Sequence, residues 1–418
     1  MPQTLFSGGL VFDGRTAPQP GLAVLVEDGR IAKIAPAAEF AGFAGATVDT
    51  SGGTLMPGLI DCHVHLTMGG EGDPGTAQSK LGPAALTLKT LERAQETLRA
   101  GVVAVRDCGG KDYIELSVRD AIKRGEFPGP TIRASGRIIC MTGGHGNRTG
   151  RIADGVDEVV KAVREQIHAG ADVIKIMATG GVMTPGVDPE DAHYTREEMA
   201  AGLAEARRFR KRSASHAQGA EGILNAVLGG VSSIEHGIFM NDECLKAMLE
   251  RGTFLVPTLA AVRNIVNNRD KGIPPWAVEK AERVFEIHRK NFKRFYEAGG
   301  KVALGTDAGT PFNLHGENAR ELEYMVACGV TPLDALRAGT SLAAELLDLP
   351  QHGVLAVGAR ADLLLVDGNP AEDILKAADR SNHRAVFSGG LPASGLPVLA
   401  GGLRAAGLGA AGLAKAAL

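Results

Sequence analysis

Apolar and polar positions change rhythm twice along this chain of 418 residues. Up to about residue 57 they form short runs broken by glycine: residues 22–26 are apolar, Asp28-Gly29 is a hairpin signal, and residues 30–34 resume a strand. From Gly58 onward, short β-branched runs alternate with longer stretches of helical period. Strands are predicted at 58–66, 102–108, 131–140, 172–177, 213–216, 232–236, 253–259 and 302–307, with helices such as 86–100, 156–169, 196–211 and 277–298 between them. This alternation favours a closed parallel (β/α)8 TIM barrel over an open sheet. The fifth strand, opening Ser213-Ala214-Ser215, has the least β character. Near Gly353 short strands return, at 353–357, 361–366 and 384–388. The expected organisation is α/β, with a barrel over residues 58–349 and a small β-sandwich formed by both chain ends, 1–57 plus 350–390. Residues 391–418 are a Gly-, Ala- and Leu-rich tail in which Leu391-Pro392-Ala393-Ser394 breaks the strand pattern.

Composition narrows the class of function without identifying one. Hydrophobic residues at 44% and charged residues at 22% are ordinary for a globular chain. A net charge of -3 gives no electrostatic case for nucleic acid or an anionic membrane, so a small, roughly neutral substrate fits better. No apolar run reaches the roughly 18 residues of a spanning helix. Met1-Pro2-Gln3-Thr4-Leu5-Phe6 lacks the basic-then-apolar order of a secretory signal. The five cysteines are scattered without a CxxC pair, as expected of reduced thiols in a cytoplasmic protein. Nothing here fixes the oligomeric state, and a homo-oligomer stays open.

In a parallel barrel, functional side chains sit at the C-terminal ends of strands. His63 and His65 close the first predicted strand, and a spacing of two puts both imidazoles on one face. Two converging neutral imidazoles are a natural half-site for a metal. Lys175 lies in Asp172-Val173-Ile174-Lys175-Ile176-Met177, where alternation turns it inward if Ile174 and Ile176 pack on the helices. A buried bare ammonium is costly without a partner, whereas carboxylation by CO2 makes it an anionic carbamate able to bridge two cations. The plainer alternative is a lysine snorkelling to solvent from the strand end. His216 and His236 end the fifth and sixth strands, and either alone reads more simply as structural. Asp307 ends the eighth, with the small Gly305 and Ala303 beside it by parity. A carboxylate there binds a cation and takes a proton from bound water, or merely caps a strand–loop junction. Together the six ligand-type side chains point to a metal site.

These residues resemble the amidohydrolase superfamily. Met56-Pro57-Gly58-Leu59-Ile60-Asp61-Cys62-His63-Val64-His65 is close to its opening strand motif. His216-Ala217-Gln218-Gly219, Ile234-Glu235-His236-Gly237 and Gly305-Thr306-Asp307-Ala308-Gly309 are similar to its later ligand motifs. Thr142-Gly143-Gly144-His145-Gly146 and the stretch from His315 to Glu323 look like its imidazolonepropionase-like branch, which includes Xaa-Pro dipeptidases, carboxypeptidases and hydrolases of ochratoxin-type amides. The resemblance runs over about residues 5–388 and implies a barrel paired with a sandwich made from both chain ends. It also implies that His63, His65 and Asp307 hold one divalent cation and His216 and His236 a second, with carboxylated Lys175 between them and zinc the expected metal. Similar one-metal deaminases and imidazolonepropionase itself lack this lysine, so Lys175 argues for an amide hydrolase.

The expected reaction is hydrolysis of the amide bond of dipeptides or N-acyl amino acids by a hydroxide held between the cations. Asp307 accepts and returns the proton, and His145 donates a hydrogen bond to the developing oxyanion. A free substrate carboxylate suits arginine. Arg148, with Arg151 near it, and Tyr194 are candidates for the substrate's polar end, although loop arginines are often only solubilising. Two readings compete with this one. A cyclic-amide hydrolase or lactonase would use the same metal site, and a metal-free scaffold protein would not need all six ligand-type residues.

Overall fold

In the computed structural model, which describes residues 3–395, parallel strands alternate with helices through the middle of the chain. Leu59–Val64, Val102–Asp107 and Thr131–Ala134 pair in sequence. Val173–Met177, Arg212–Ala217, Ser233–His236 and Phe254–Val256 form a second parallel run. The Asp172 N–H donates to Ala134 O at 2.8 Å and joins the two runs on one side. On the other side residues 302–308 span the gap, with Ala303 N donating to Leu255 O at 3.0 Å and Cys62 N to Leu304 O at 2.8 Å. Parallel hydrogen bonding therefore returns to the strand where it began. Val102–Asp107 and Val173–Met177 are buried throughout, as expected of strands covered on both faces. The intervening helices are amphipathic: Pro83–Arg99 buries Leu86, Thr90, Ala94 and Thr97–Leu98, a stripe at helical spacing.

Two further sheets lie outside this ring. One orders Arg30–Pro36, Leu22–Glu27, Gln3–Ser7 and Ala46–Asp49. The other orders Leu391–Ser394, His383–Ser388, Leu363–Asp367, Gly53–Pro57 and Leu10–Val11, so the two ends of the chain pair directly. One hydrophobic cluster takes Phe6, Val24 and Val48 from the first sheet and Leu55, Leu363 and Phe387 from the second. The rings of Phe6 and Phe387 meet edge to face with centroids 4.9 Å apart.

Several elements differ from the sequence pattern, each for a local reason. The third predicted strand splits into Thr131–Ala134 and Ile139–Cys140. The seventh stops at Val256, and helix Leu259–Asn267 begins where strand was expected. Residues 302–307 are not a regular strand, because the left-handed backbone of Asp307 (φ 63°) breaks the pleat. Conversely Arg212–Ala217, the weakest by β character, is a full strand, since pairing on both sides outweighs its serines. Residues 353–357 form a loop that still contributes Leu355 to the end-sheet core. Leu391–Ser394, expected to break the pattern, is a strand after all. Gly389 and Gly390 (φ 55° and 77°) supply the two left-handed residues of a tight hairpin, and Pro392 is tolerated because this strand is at the sheet edge. The rest of the 391–418 tail, residues 396–418, lies outside the described residues.

Candidate active site

The strand ends bring His63, His65, Lys175, His216, His236 and Asp307 to one cavity of about 250 Å³, which His145 also lines. Asp307 Oδ1 lies 3.2 Å from His65 Nε2 and 3.4 Å from His63 Nε2, and Lys175 Nζ is 3.4 Å from His63 Nε2. The ring centroids of His63 and His236 are 5.3 Å apart, and those of His216 and His236 4.6 Å. Close approach is possible at the first and eighth strands because residue 305 is glycine. A Cβ there would sit 2.3 Å from Val256 Cγ1 and 3.0 Å from the His63 Cβ.

Each imidazole is held from behind by one ring nitrogen. His63 Nδ1 is 2.8 Å from Glu235 Oε2, His65 Nδ1 2.9 Å from Gly109 O, His236 Nδ1 2.6 Å from Thr258 Oγ1, and His216 Nε2 2.8 Å from Gly180 O. That pattern fixes ring orientation and leaves the second nitrogen of each for another partner, as metal-ligating histidines require. Burial holds His63 and His216 well below the ordinary imidazole range and His236 down to about 3, so all three are neutral near pH 7. His65 is raised: burial opposes its charge, but the adjacent Asp307 carboxylate outweighs it. Burial likewise opposes ionisation of Asp307, yet the facing His63, His65 and His236 keep its pKa below the usual carboxylate range. Asp307 Oδ1 is buried without a hydrogen-bond partner. An orphaned carboxylate oxygen among clustered imidazoles is the donor set a divalent cation satisfies. His63, His65 and Asp307 offer ligand atoms all within 4.8 Å of one another.

Backbone strain gathers at the same place. His236 (φ 73°), Thr258 (φ 53°) and Asp307 (φ 63°) are left-handed without being glycine. Such conformations cost about 1–3 kcal/mol each and persist where the surroundings over-determine them. The turn at His236 also explains how neighbours Glu235 and His236 both serve the site, although simple alternation would send them to opposite faces.

Glu235 is the main residue that the sequence did not single out. Fully buried, it accepts from Arg106 Nη2 at 2.7 Å and from Ser233 Oγ at 2.5 Å besides contacting His63. Asp61 is a second. Its carboxylate accepts from the His63 and Thr306 N–H groups, the Thr306 hydroxyl and the Asn318 amide, tying the first strand to residues 302–308. A charged residue inside an otherwise apolar strand was the available signal for Arg106 and Glu235 alike.

The other candidates divide. His145 Nδ1 is 2.8 Å from Thr184 Oγ1 with its ring centroid 4.4 Å from that of His216, and burial takes its pKa down to about 3. Arg148 reaches the cavity rim but is 54% exposed and lies 3.5 Å from Asp73 Oδ1. Arg151 turns away to Glu158 and Glu165. Tyr194 is corrected: its buried hydroxyl donates to Ala153 O at 2.8 Å, and it does not line the cavity. Its position in the segment after the fourth strand suggested a contact with the substrate's polar end, but the side chain packs in the core.

Known proteins match along nearly the whole chain. Ochratoxinase from Aspergillus niger is 31% identical over 93% of this chain and 86% of its own length. A crystal structure of a Xaa-Pro dipeptidase with methionine in its active site superposes with TM-score 0.85 at 33% identity, covering 93% of this chain and 99% of that one. A prolidase complexed with N-methylphosphonate-L-proline gives TM-score 0.84 at 32% identity, covering 93% and 99%. These likenesses imply the TIM-barrel fold. The Amidohydrolase family profile matches residues 54–392, the stretch that carries all six ligand-type residues, and the chain belongs to that metal-dependent hydrolase family.

Proposed function

We propose that the protein hydrolyses the amide bond of dipeptides or N-acyl amino acids at a site for two zinc ions. The carrying observation is the cluster of four back-held imidazoles around the unpartnered oxygen of Asp307, with buried Lys175 beside them. His63, His65 and Asp307 would hold one cation and His216 and His236 the other. Lys175 is 1% exposed and makes no ion pair among the described residues, which supports its conversion to a bridging carbamate. Bound zinc supplies a Lewis acid and makes hydroxide available near neutral pH.

The chain's own groups do the rest. Asp307, kept ionised, takes a proton at the carboxylate oxygen that the cation leaves free and returns it to the leaving nitrogen. Neutral His145, with the Thr184 hydroxyl donating to its Nδ1, carries its proton on Nε2 and donates it in a hydrogen bond to the developing oxyanion. Arg148 at the rim is the cation available to a substrate carboxylate, in competition with Asp73. Phe6, Leu363 and Phe387 support reading the two outer sheets as one β-sandwich domain, extended to Ser394. All five cysteines are free, in keeping with a cytoplasmic protein.

Metal analysis and kinetics of Lys175→Ala test the site. Two zinc ions per chain are expected in the wild type and one or none in the variant, with amide hydrolysis reduced about 1,000-fold or more. A variant that keeps both metals and its activity would remove the carbamate from the mechanism.

A further inference from the structure

Two polar side chains in the cavity have no role in the chemistry above. Gln78 is 6% exposed and Gln218 4%, both line the cavity, and the Oε1 of each is buried without a hydrogen-bond partner. Their backbones are fixed. Gln78 sits in helix Pro74–Ser79, whose N-cap Asp73 accepts from Thr76 N. The Gln218 N–H donates to Thr179 Oγ1 at 3.0 Å, and its carbonyl accepts from Phe239 N at 2.8 Å. Leaving a buried polar group unpaired costs about 1–3 kcal/mol, a cost that folds retain chiefly where function uses the group. Two such amides facing one cavity are therefore a recognition element awaiting a partner.

Another part of the cavity lining has the contrary chemistry. Val182, Met183, Val262 and Ile265 line the cavity and pack with Ala277, Ala281 and Val284 of helix Pro275–Glu297 in a hydrophobic cluster separate from the main core. That cluster backs the wall with rigid side chains. Apart from Lys175, Asp307 and the five histidines, the acidic and basic side chains lining the cavity among the described residues are Asp73 and Arg148, which lie 3.5 Å apart and offset one another. A charged substrate side chain would meet no free counter-charge on the wall, whereas the neutral groups of an amide backbone match Gln78 and Gln218, since a carboxamide both donates and accepts.

We infer that Gln78 and Gln218 bind the neutral amide backbone of the substrate while the wall of Val182, Met183, Val262 and Ile265 selects an uncharged, apolar side chain. This rests on the amide-hydrolase reading. Both glutamines would contact the substrate backbone without taking part in proton transfer, so their removal acts on binding and spares the reaction step.

The test uses the zinc-loaded full chain and the probes N-acetylglycyl-L-leucine, N-acetylglycyl-L-lysine and N-acetylglycyl-L-aspartate. The leucine compound is expected to exceed both charged ones in kcat/KM by about 100-fold. Gln78→Leu and Gln218→Leu are each expected to raise KM about tenfold, with kcat within about threefold, the loss of one hydrogen bond to a neutral group. Both variants should keep the wild-type metal content and a melting temperature equal to or above the wild type's, because no protein hydrogen bond is lost. A purely structural role for the amides predicts the reverse, a lowered melting temperature with unchanged KM. Charged side chains turned over as well as leucine, or kcat falling at constant KM, would overturn the inference. If the wild type cleaves none of these probes but opens lactones or cyclic amides, the amide-hydrolase reading fails, and calorimetry with the same probes still decides this one. Leucine-selective binding weakened about tenfold by either variant upholds it, and equal affinity for all three sinks it.

Discussion

At the scale of single residues, the site depends on groups that never touch a substrate. Glu235 links the Arg106 guanidinium to His63, all three buried. Glu235→Gln keeps the shape but leaves Arg106 as a buried charge without a counter-ion, which costs about 3–5 kcal/mol. The one acceptor oxygen left cannot serve both sides, and with it kept by Arg106 and Ser233 the amide NH2 faces His63 Nδ1, so zinc affinity should fall about 10–100-fold. Chemical denaturation and zinc titration read the two effects separately. Adding Arg106→Met should restore much of the stability and none of the affinity. The six ligand-type residues were legible in the sequence because each lies in or at the end of a predicted strand and carries a donor that a barrel interior rarely buries without purpose. Glu235, Arg106 and Asp61 were not, since each acts through a partner on another strand, and a linear sequence does not show which strands become neighbours. Tyr194 illustrates the opposite error: a position in the loop that follows a barrel strand says nothing of where the hydroxyl turns.

At the scale of elements, helix Leu259–Asn267 contributes Ala261, Val262 and Ile265 to the cavity and begins on a buried carboxylate. Glu321 Oε1 accepts from Leu259 N at 2.7 Å and Oε2 from Ala260 N at 2.8 Å. Burial nevertheless raises its pKa to about 8, outweighing these two bonds. An acid whose folded pKa lies above its unfolded value binds more protons when folded, so its contribution to stability is largest at low pH. That contribution declines as pH rises from about 4.5 towards 8. Urea denaturation at pH 5.5 and 8.5 should therefore show a larger loss of stability in the wild type than in Glu321→Gln; equal losses would refute this account. The helical and parallel-strand pattern was readable from periodicity because those elements bury long regular faces. Short elements were less so. Arg212–Ala217 owes its strand form to two neighbours, and Leu391–Ser394 owes its own to the Gly389-Gly390 turn, both of which are tertiary circumstances.

At the scale of the whole molecule, the six candidate ligands come from segments spread between residues 63 and 307, so a cation bound among them would couple metal binding to the fold. A cation held by the native state and not by the unfolded chain adds RT ln(1 + [L]/Kd) to stability, about 4 kcal/mol at a thousandfold excess over Kd. Stripping the metal with a chelator should lower the melting temperature by several degrees, and zinc should restore it; for a chain of this length a degree corresponds to a sizeable fraction of a kcal/mol. An unchanged melting temperature after verified metal removal would mean that the native state holds the cation no more tightly than the unfolded chain does.

The pairing of Gly53–Pro57 with Leu363–Asp367 has a consequence for synthesis. The early strand leaves the ribosome some three hundred residues before its partner exists, and Leu59–Val64 likewise waits for residues 302–308 to close on it. Contacts so distant along the chain slow folding and leave strand edges open meanwhile. The nascent protein should therefore stay protease-sensitive until nearly all of it has been translated, and then gain resistance in a single late step.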